Sequence, residues 1–200
     1  MTVQSITAPA KIGPNAAIQL FKALEAAKGA EAARAVARAA GCEDWYDHPP
    51  ADMVSEVPVI RLFRTLEAMH PQHASAIEAQ AGRRTADYII ANRIPAFACM
   101  VLKRLPARIA GPLLAKAIER HAWTFCGSGT VTVHPGPPCR FEIADNPLTR
   151  GLAADRPACA WHTAVFNQLF RRLVHPRSET LEQSCCATYS GSCTFRVAWS

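Results

Sequence analysis

The 200-residue chain contains no stretch of eighteen or more apolar residues, which argues against a continuous membrane-spanning helix. Its longest weakly charged run, Ile89 to Leu102, is broken by Arg93 and Pro95. The N-terminal MTVQSITAPAKIGPNAAIQLF has neither the basic start nor the continuous apolar core of a secretory signal. A cytoplasmic location is therefore expected, where the eight cysteines serve as thiols or metal ligands rather than disulfides. Catalytic signatures are also scarce. There is no P-loop and no nucleophile elbow. The nearest glycine pattern is Gly127-Ser128-Gly129, with Thr132 where the third glycine of a dinucleotide fingerprint would fall. It lies in a hairpin context, not between a strand and a helix, so that fingerprint is missing. Internal repeats and low-complexity tails are absent as well.

Half of the residues are hydrophobic, enough for one compact domain over 1–200 with a sizeable core. The net charge is +6, from 22 basic and 16 acidic residues. Basic residues gather in the middle of the chain, at Arg83, Arg84, Arg93, Lys103, Arg104, Arg108, Lys116 and Arg120. They are spread among apolar residues with no helix-turn-helix or RNP-type motif, so no nucleic-acid partner is expected. Most should sit on solvated helix surface, and a few can receive the carboxylates of an acidic small molecule.

Hydrophobic periodicity divides the chain in two. A helical part runs over about 12–120, and a sheet-containing part over about 121–200. Ile18, Leu20, Phe21, Leu24 and Ala27 recur at helical spacing after Pro14-Asn15; Gly29 interrupts, and Gly41 ends the alanine-rich continuation. The segment CEDWYDHPPADM reads as a loop. Helices are expected at Val57–Met69, from Gln72 to about Arg93, and at Pro106–Arg120. Ala96 to Leu105 reads as a turn-rich apolar piece. The period then changes. Trp123, Phe125, Val131, Val133, Phe141 and Ile143 lie in strand-like runs separated by GSG and HPGPP. A helix is expected over Cys159–Leu173, followed by strands at Thr180–Thr188 and Cys193–Trp199. This order predicts an α+β fold, an antiparallel sheet of two hairpins backed by helices.

The most informative pattern is C-x22-E-x2-C-x7-C, formed by Cys159, Glu182, Cys185 and Cys193. Three thiols and a carboxylate make a full tetrahedral shell for zinc. Four protein donors leave no open position for water or substrate, so such a site is structural. Two facts keep a second reading open. Buried cysteine often acts as a small hydrophobe, and C-x7-C is not a standard finger spacing. Cys186 competes with Cys185, and in an extended strand only one of the pair can face the site. The spacing assigns no role to Cys42, Cys99, Cys126, Cys139 or Cys186.

The segments AGRRTADYIIANRIPAFACMVLKRLP and AIERHAWTFCGSG, together with the cysteine–glutamate ending, resemble the 4-vinyl-reductase domain family from Ile12 to the end of the chain. The ending is also similar to zinc-containing sensor domains of that family in transcription regulators. The resemblance implies a TRAPP-type α+β ligand-binding domain with an apolar pocket between helices and sheet. It implies structural zinc at Cys159, Glu182, Cys185 and Cys193. It further implies a role in bacteriochlorophyll synthesis, where such proteins have been linked to reduction of the 8-vinyl (older 4-vinyl) group of divinyl protochlorophyllide. The regulators continue into ATPase and DNA-binding domains, whereas this sequence stops seven residues past Cys193, so direct DNA contact is not expected.

A vinyl reductase needs a hydride source, and no site for one is visible, so the residues favour binding over catalysis. The expected ligand is a magnesium tetrapyrrole, held as carrier or accessory protein; an 8-vinyl reductase and a small-molecule sensor are the alternatives. Such a pigment requires an apolar slot, for which Tyr88, Ile89, Phe97, Met100, Leu113, Leu114, Trp123 and Phe125 are candidates. It also requires a cation for its carboxylate, from Arg93, Lys103 or Arg104, and an axial ligand, from His121 or His162. Each of these also has an ordinary structural role open to it. Pigment-synthesis enzymes are candidate partners, and a homodimer is compatible with the chain.

Overall fold

The computed structural model describes residues 10–199. The reading of the extreme N-terminus as no secretory signal falls partly on residues 1–9, outside the described residues.

Proline and glycine punctuate the helical part. Helix α1 (Asn15–Lys28) ends at Gly29, whose φ of 87° suits a residue without Cβ, and α2 (Ala30–Ala39) follows at once. At the end of α2 the Cys42 N–H bonds to the Ala37 carbonyl and the Gly41 N–H to that of Arg38. This is a Schellman cap, with Gly41 left-handed at φ 71°. A short helix α3 (Asp44–Asp47) occupies the segment expected to be loop. Strands β1 (Lys11–Ile12) and β2 (Val54–Ser55) form a two-rung antiparallel ladder, too short to leave a period in the sequence. Ser55 then caps α4 (Glu56–Met69) by accepting the Val57 N–H at 3.3 Å.

Helix α5 (Ala74–Asn92) is the spine of the helical layer. Pro95 stops its continuation, and α6 (Ala96–Arg104) and α7 (Ala107–Arg120) follow, each opening after a proline. Ala96 to Leu105 is thus a helix where the sequence suggested a turn-rich piece. Its prolines bound the element and do not interrupt it.

Strands β3 (Thr130–His134) and β4 (Cys139–Ala144) form the first hairpin. Trp123 and Phe125 are not part of it. Ala122–Thr124 is a single 3-10 turn, because Phe125 and Cys126 bond back to Ala122 and close the backbone locally. Helix α8 (Ala160–Leu173) leads to β5 (Glu179–Ser184) and β6 (Ser192–Ala198). The expected strand through Thr188 stops at Ser184, and Cys186–Thr188 is a 3-10 turn. Both hairpins join through β4–β6 into one antiparallel sheet of order β3-β4-β6-β5. The expected α+β fold is the one observed.

The core lies between α8 and this sheet. Phe141 and Phe166 stack at 4.4 Å, and Phe195 and Phe170 pack edge-on around them. Burying each such ring contributes about 1.5–3 kcal/mol. Behind α8 lies α5. A Cβ on Gly82 would strike the Trp161 carbonyl oxygen and come within 2.9 Å of the Ala164 methyl, so glycine is what lets the two helices approach this closely.

Candidate metal centre

The start of α8, the end of β5 and the start of β6 converge at one end of the sheet. The Sγ atoms of Cys159, Cys185 and Cys193 lie 3.5, 3.6 and 3.8 Å apart, and all three residues are buried. Tetrahedral zinc with bonds of about 2.3 Å has an S–S edge of about 3.8 Å. The three thiols thus form one face of a metal-sized tetrahedron, and Glu182 completes a donor set lying within 4.8 Å of one another.

Strict strand alternation would put Glu182 and Cys185 on opposite faces, three residues apart. A register shift between Glu182 and Ser184 interrupts the β5–β6 pairing and brings both to the same side. Of the neighbouring cysteines, Cys185 enters the cluster. Cys186 contributes its backbone N–H to Cys193 Sγ at 3.2 Å, while its own sulfur turns toward the Ile143 carbonyl.

The Cys159 N–H donates to Glu182 Oε2 at 2.8 Å. The other oxygen, Oε1, is buried with no partner among the described residues. A metal ion would supply one. Asn146, almost wholly buried, donates its amide to Cys159 Sγ at 3.5 Å and Cys193 Sγ at 3.4 Å, and accepts the Leu148 N–H on its oxygen. Hydrogen bonds of this kind orient metal thiolates and favour their ionised form. Sequence reasoning missed Asn146, because Asp145-Asn146-Pro147 looks like any turn.

The metal-free electrostatics are frustrated. Hydrogen bonds with the Cys159 and Cys193 thiols hold the Cys185 thiol far below its ordinary range. Hydrogen bonding to Cys185 and Cys193, reinforced by burial, pushes Cys159 well above it. Burial raises Glu182 to about 7. Burying several anions together is unfavourable without a cation, and a divalent ion would replace the retained protons. The donor set fits zinc.

Nearby contacts fasten the centre to the helical layer. Arg64 on α4 donates to the Leu148 carbonyl at 2.6 Å, in the turn that follows Asn146. Glu56 accepts from the Ser128 N–H and hydroxyl at 2.8 and 2.7 Å and from Arg150 at 2.6 Å. Despite its burial, those bonds hold the Glu56 carboxyl below its ordinary value. The GSG turn therefore serves as an anchor for Glu56, and Gly127, with φ 53°, leaves room for that carboxylate.

The expected pigment residues do not all gather in one place. An open cleft of about 740 Å³ lies between the end of α5 and α6, lined by Ile90, Ile94, Cys99, Met100, Lys103 and Arg104 among others. Met100 and two of the three candidate cations are there. Arg93 stands exposed over the Tyr88 ring at 5.8 Å, and Phe97 projects from α6 into solvent. Leu113 is exposed, and Leu114 is in the core. His121 is exposed, with Nδ1 2.8 Å from the Ala117 carbonyl, and Trp123 is exposed beside it in sequence. Phe125 packs on Phe166 and His162. His162 is fully buried, and burial pushes its pKa down to about 3, so the ring is neutral. It is not among the residues lining the cleft.

By its fold and its cysteine–glutamate centre the chain is a protein of the 4-vinyl-reductase domain class. The profile of that domain matches residues 139–198, the stretch that holds all four donors. More particularly, it is 44% identical over 187 residues to the bacteriochlorophyll synthase 23 kDa chain of Cereibacter sphaeroides, covering 94% of this chain and 90% of the relative. The chain of the same name from Rhodobacter capsulatus is 40% identical over 185 residues, covering 92% and 85%. The chain belongs to the family of these 23 kDa chains. Among solved structures, an Fe(II) unliganded H-NOX protein mutant from K. algicida matches with a TM-score of 0.61 at 12% identity, covering 94% of this chain and 96% of that one. An oxygen-binding H-NOX domain related to soluble guanylate cyclases matches at 0.52 and 11%, covering 90% and 89%. At such identities the likeness is one of fold alone.

Proposed function

We propose that the chain binds a magnesium tetrapyrrole intermediate, such as divinyl protochlorophyllide, as a carrier or accessory protein in bacteriochlorophyll biosynthesis, with zinc as its structural metal. The observation that carries this reading is the cleft between α5 and α6. Its volume, about 740 Å³, falls in the range of small-molecule sites, roughly 300–1,000 Å³. Ile90, Ile94 and Met100 offer apolar contact to the faces of a macrocycle, and Lys103 and Arg104 stand where a carboxylate can be paired. The names of the 23 kDa relatives support the pathway. The zinc reading is supported by the tetrahedral spacing of the thiols and the unpartnered Glu182 oxygen.

Titration of the purified chain with divinyl protochlorophyllide, followed by fluorescence quenching, tests the pigment. Saturable binding at micromolar or lower concentration is expected, with no consumption of NADPH. Met100→Ala combined with Lys103→Gln should weaken it about tenfold or more. Steady conversion to the monovinyl product by the protein and NADPH alone would replace the carrier with the reductase. Failure to bind any tetrapyrrole would reject both.

A further inference from the structure

We propose that the outward faces of α6 and α7 form a docking surface for an anionic lipid bilayer. Six of the ten large hydrophobic side chains exposed among the described residues lie between Phe97 and Trp123. On α6, Phe97, Met100, Val101 and Arg104 share one face. On α7, Ile109, Leu113, Lys116 and Arg120 do the same, while Ala110, Leu114, Ala115 and Ile118 face the core. Phe97 is 67% exposed, Leu113 52% and Trp123 58%. Scattered single residues of this kind need no explanation, but a concentration on two successive helices does.

The charge around them has one sign. Residues 88–118 include Arg93, Lys103, Arg104, Arg108 and Lys116 and no Asp or Glu. The flanking acids are engaged elsewhere. Asp87 accepts from Gln168 at 2.9 Å and lies 4.0 Å from Arg172, and Glu119 accepts the Val133 N–H at 3.1 Å. Helix α8, which packs against both α6 and α7, carries no acidic residue and ends in Arg171-Arg172. Lys103, Arg104, Arg108 and Lys116 form no ion pair or side-chain hydrogen bond among the described residues. Free cations around an apolar face that ends in a tryptophan match the boundary between headgroups and acyl chains. Fluid headgroups need no fixed pairing geometry, which favours a bilayer over a folded protein partner.

The surface lies on the membrane and does not cross it. Helices of 9 and 14 residues are about 14 and 21 Å long, short of a hydrocarbon core of about 30 Å. No described helix is long and apolar enough to span a bilayer. The docking surface stands without the pigment, and the substitutions that test it avoid the residues lining the cleft.

The test uses the pigment-free, metal-replete full chain. Its co-sedimentation is measured with vesicles of phosphatidylcholine alone and of equal parts phosphatidylcholine and phosphatidylglycerol. Binding to the mixed vesicles, release by added salt, and a blue shift of tryptophan emission that is lost in Trp123→Phe are expected. The pair Arg108→Glu with Lys116→Glu should lower the partition coefficient about tenfold or more. The pair Val101→Ser with Leu113→Ser should lower it as well, with circular dichroism and metal content unchanged. No binding to either vesicle, or equal binding by both double variants, would overturn the proposal. Self-association of the chain, abolished by Val101→Ser with Leu113→Ser and without vesicle binding, would overturn it in favour of a second copy as occupant.

Discussion

Compare the sheet and α8 with α6 and α7. In the first region Phe141, Ile143, Phe170, Cys185, Cys193, Phe195 and Val197 are sealed from solvent. In α6, a helix of similar apolar content, only Cys99 is buried. Apolar residues are therefore put to two uses in one chain. Around the donors they close a core whose geometry is fixed to within tenths of an ångström. On α6 and α7 they face outward, where nothing in the fold itself requires them. The first region should be intolerant of substitution, and the second should tolerate it without loss of folding.

The strongest break of that contrast comes at the metal. Cys193→Ser should remove the metal and lower stability by on the order of 3–5 kcal/mol, because breaking one partner leaves buried charge uncompensated. Metal analysis of the unsubstituted chain should find about one zinc per molecule. Thermal denaturation together with metal content checks both. A metal-free chain of unchanged stability would end the zinc assignment.

A smaller effect is expected where α5 passes from one region to the other. Burial, and then repulsion from Glu67, pushes the Glu78 carboxyl up to about 8. A folded value above the unfolded one, for an acid, means that the native state holds the proton more tightly. Stability should therefore fall as pH rises from about 4.5 to about 8, by on the order of 1–3 kcal/mol from this group. Glu78→Gln should remove that slope, leaving the variant more stable at pH 8.5 and little changed at pH 5. Urea denaturation at the two pH values distinguishes this from a uniform effect, which would place the proton elsewhere.

The smallest change belongs to α6. Phe97→Ala should alter stability by less than about 0.5 kcal/mol, as for an exposed side chain away from packed features. A loss of several kcal/mol in the same urea titration would mean that Phe97 is packed in solution and that the contrast between the regions is false.

Much of the fold could be read from punctuation and period. Gly29, Gly41, Pro71, Pro95 and Pro106 mark the observed helix boundaries, because each acts through its own backbone chemistry whatever surrounds it. The four donors were recognisable from residue type and a family-like spacing. The choice of Cys185 over Cys186 was not, because it depends on a register shift that only the pairing of β5 with β6 reveals. Trp123 and Phe125 have strand-like residue types, yet local backbone bonds turn them into a 3-10 element. Asn146 and Glu78 are ordinary polar residues in the sequence, and only burial gives them roles.

The strand order β3-β4-β6-β5 has a consequence for the birth of the molecule. Of these four strands, the one synthesised last is an interior one, flanked on both sides by earlier strands. A nascent chain that has not reached Ser192 holds β4 and β5 as two unsatisfied edges, open to pairing with other chains. It also lacks Cys193, so capture of the ion and closure of the sheet are gated by the same strand. A ribosome stalled before Ser192 would release a chain with three of its four donors and no middle to its sheet.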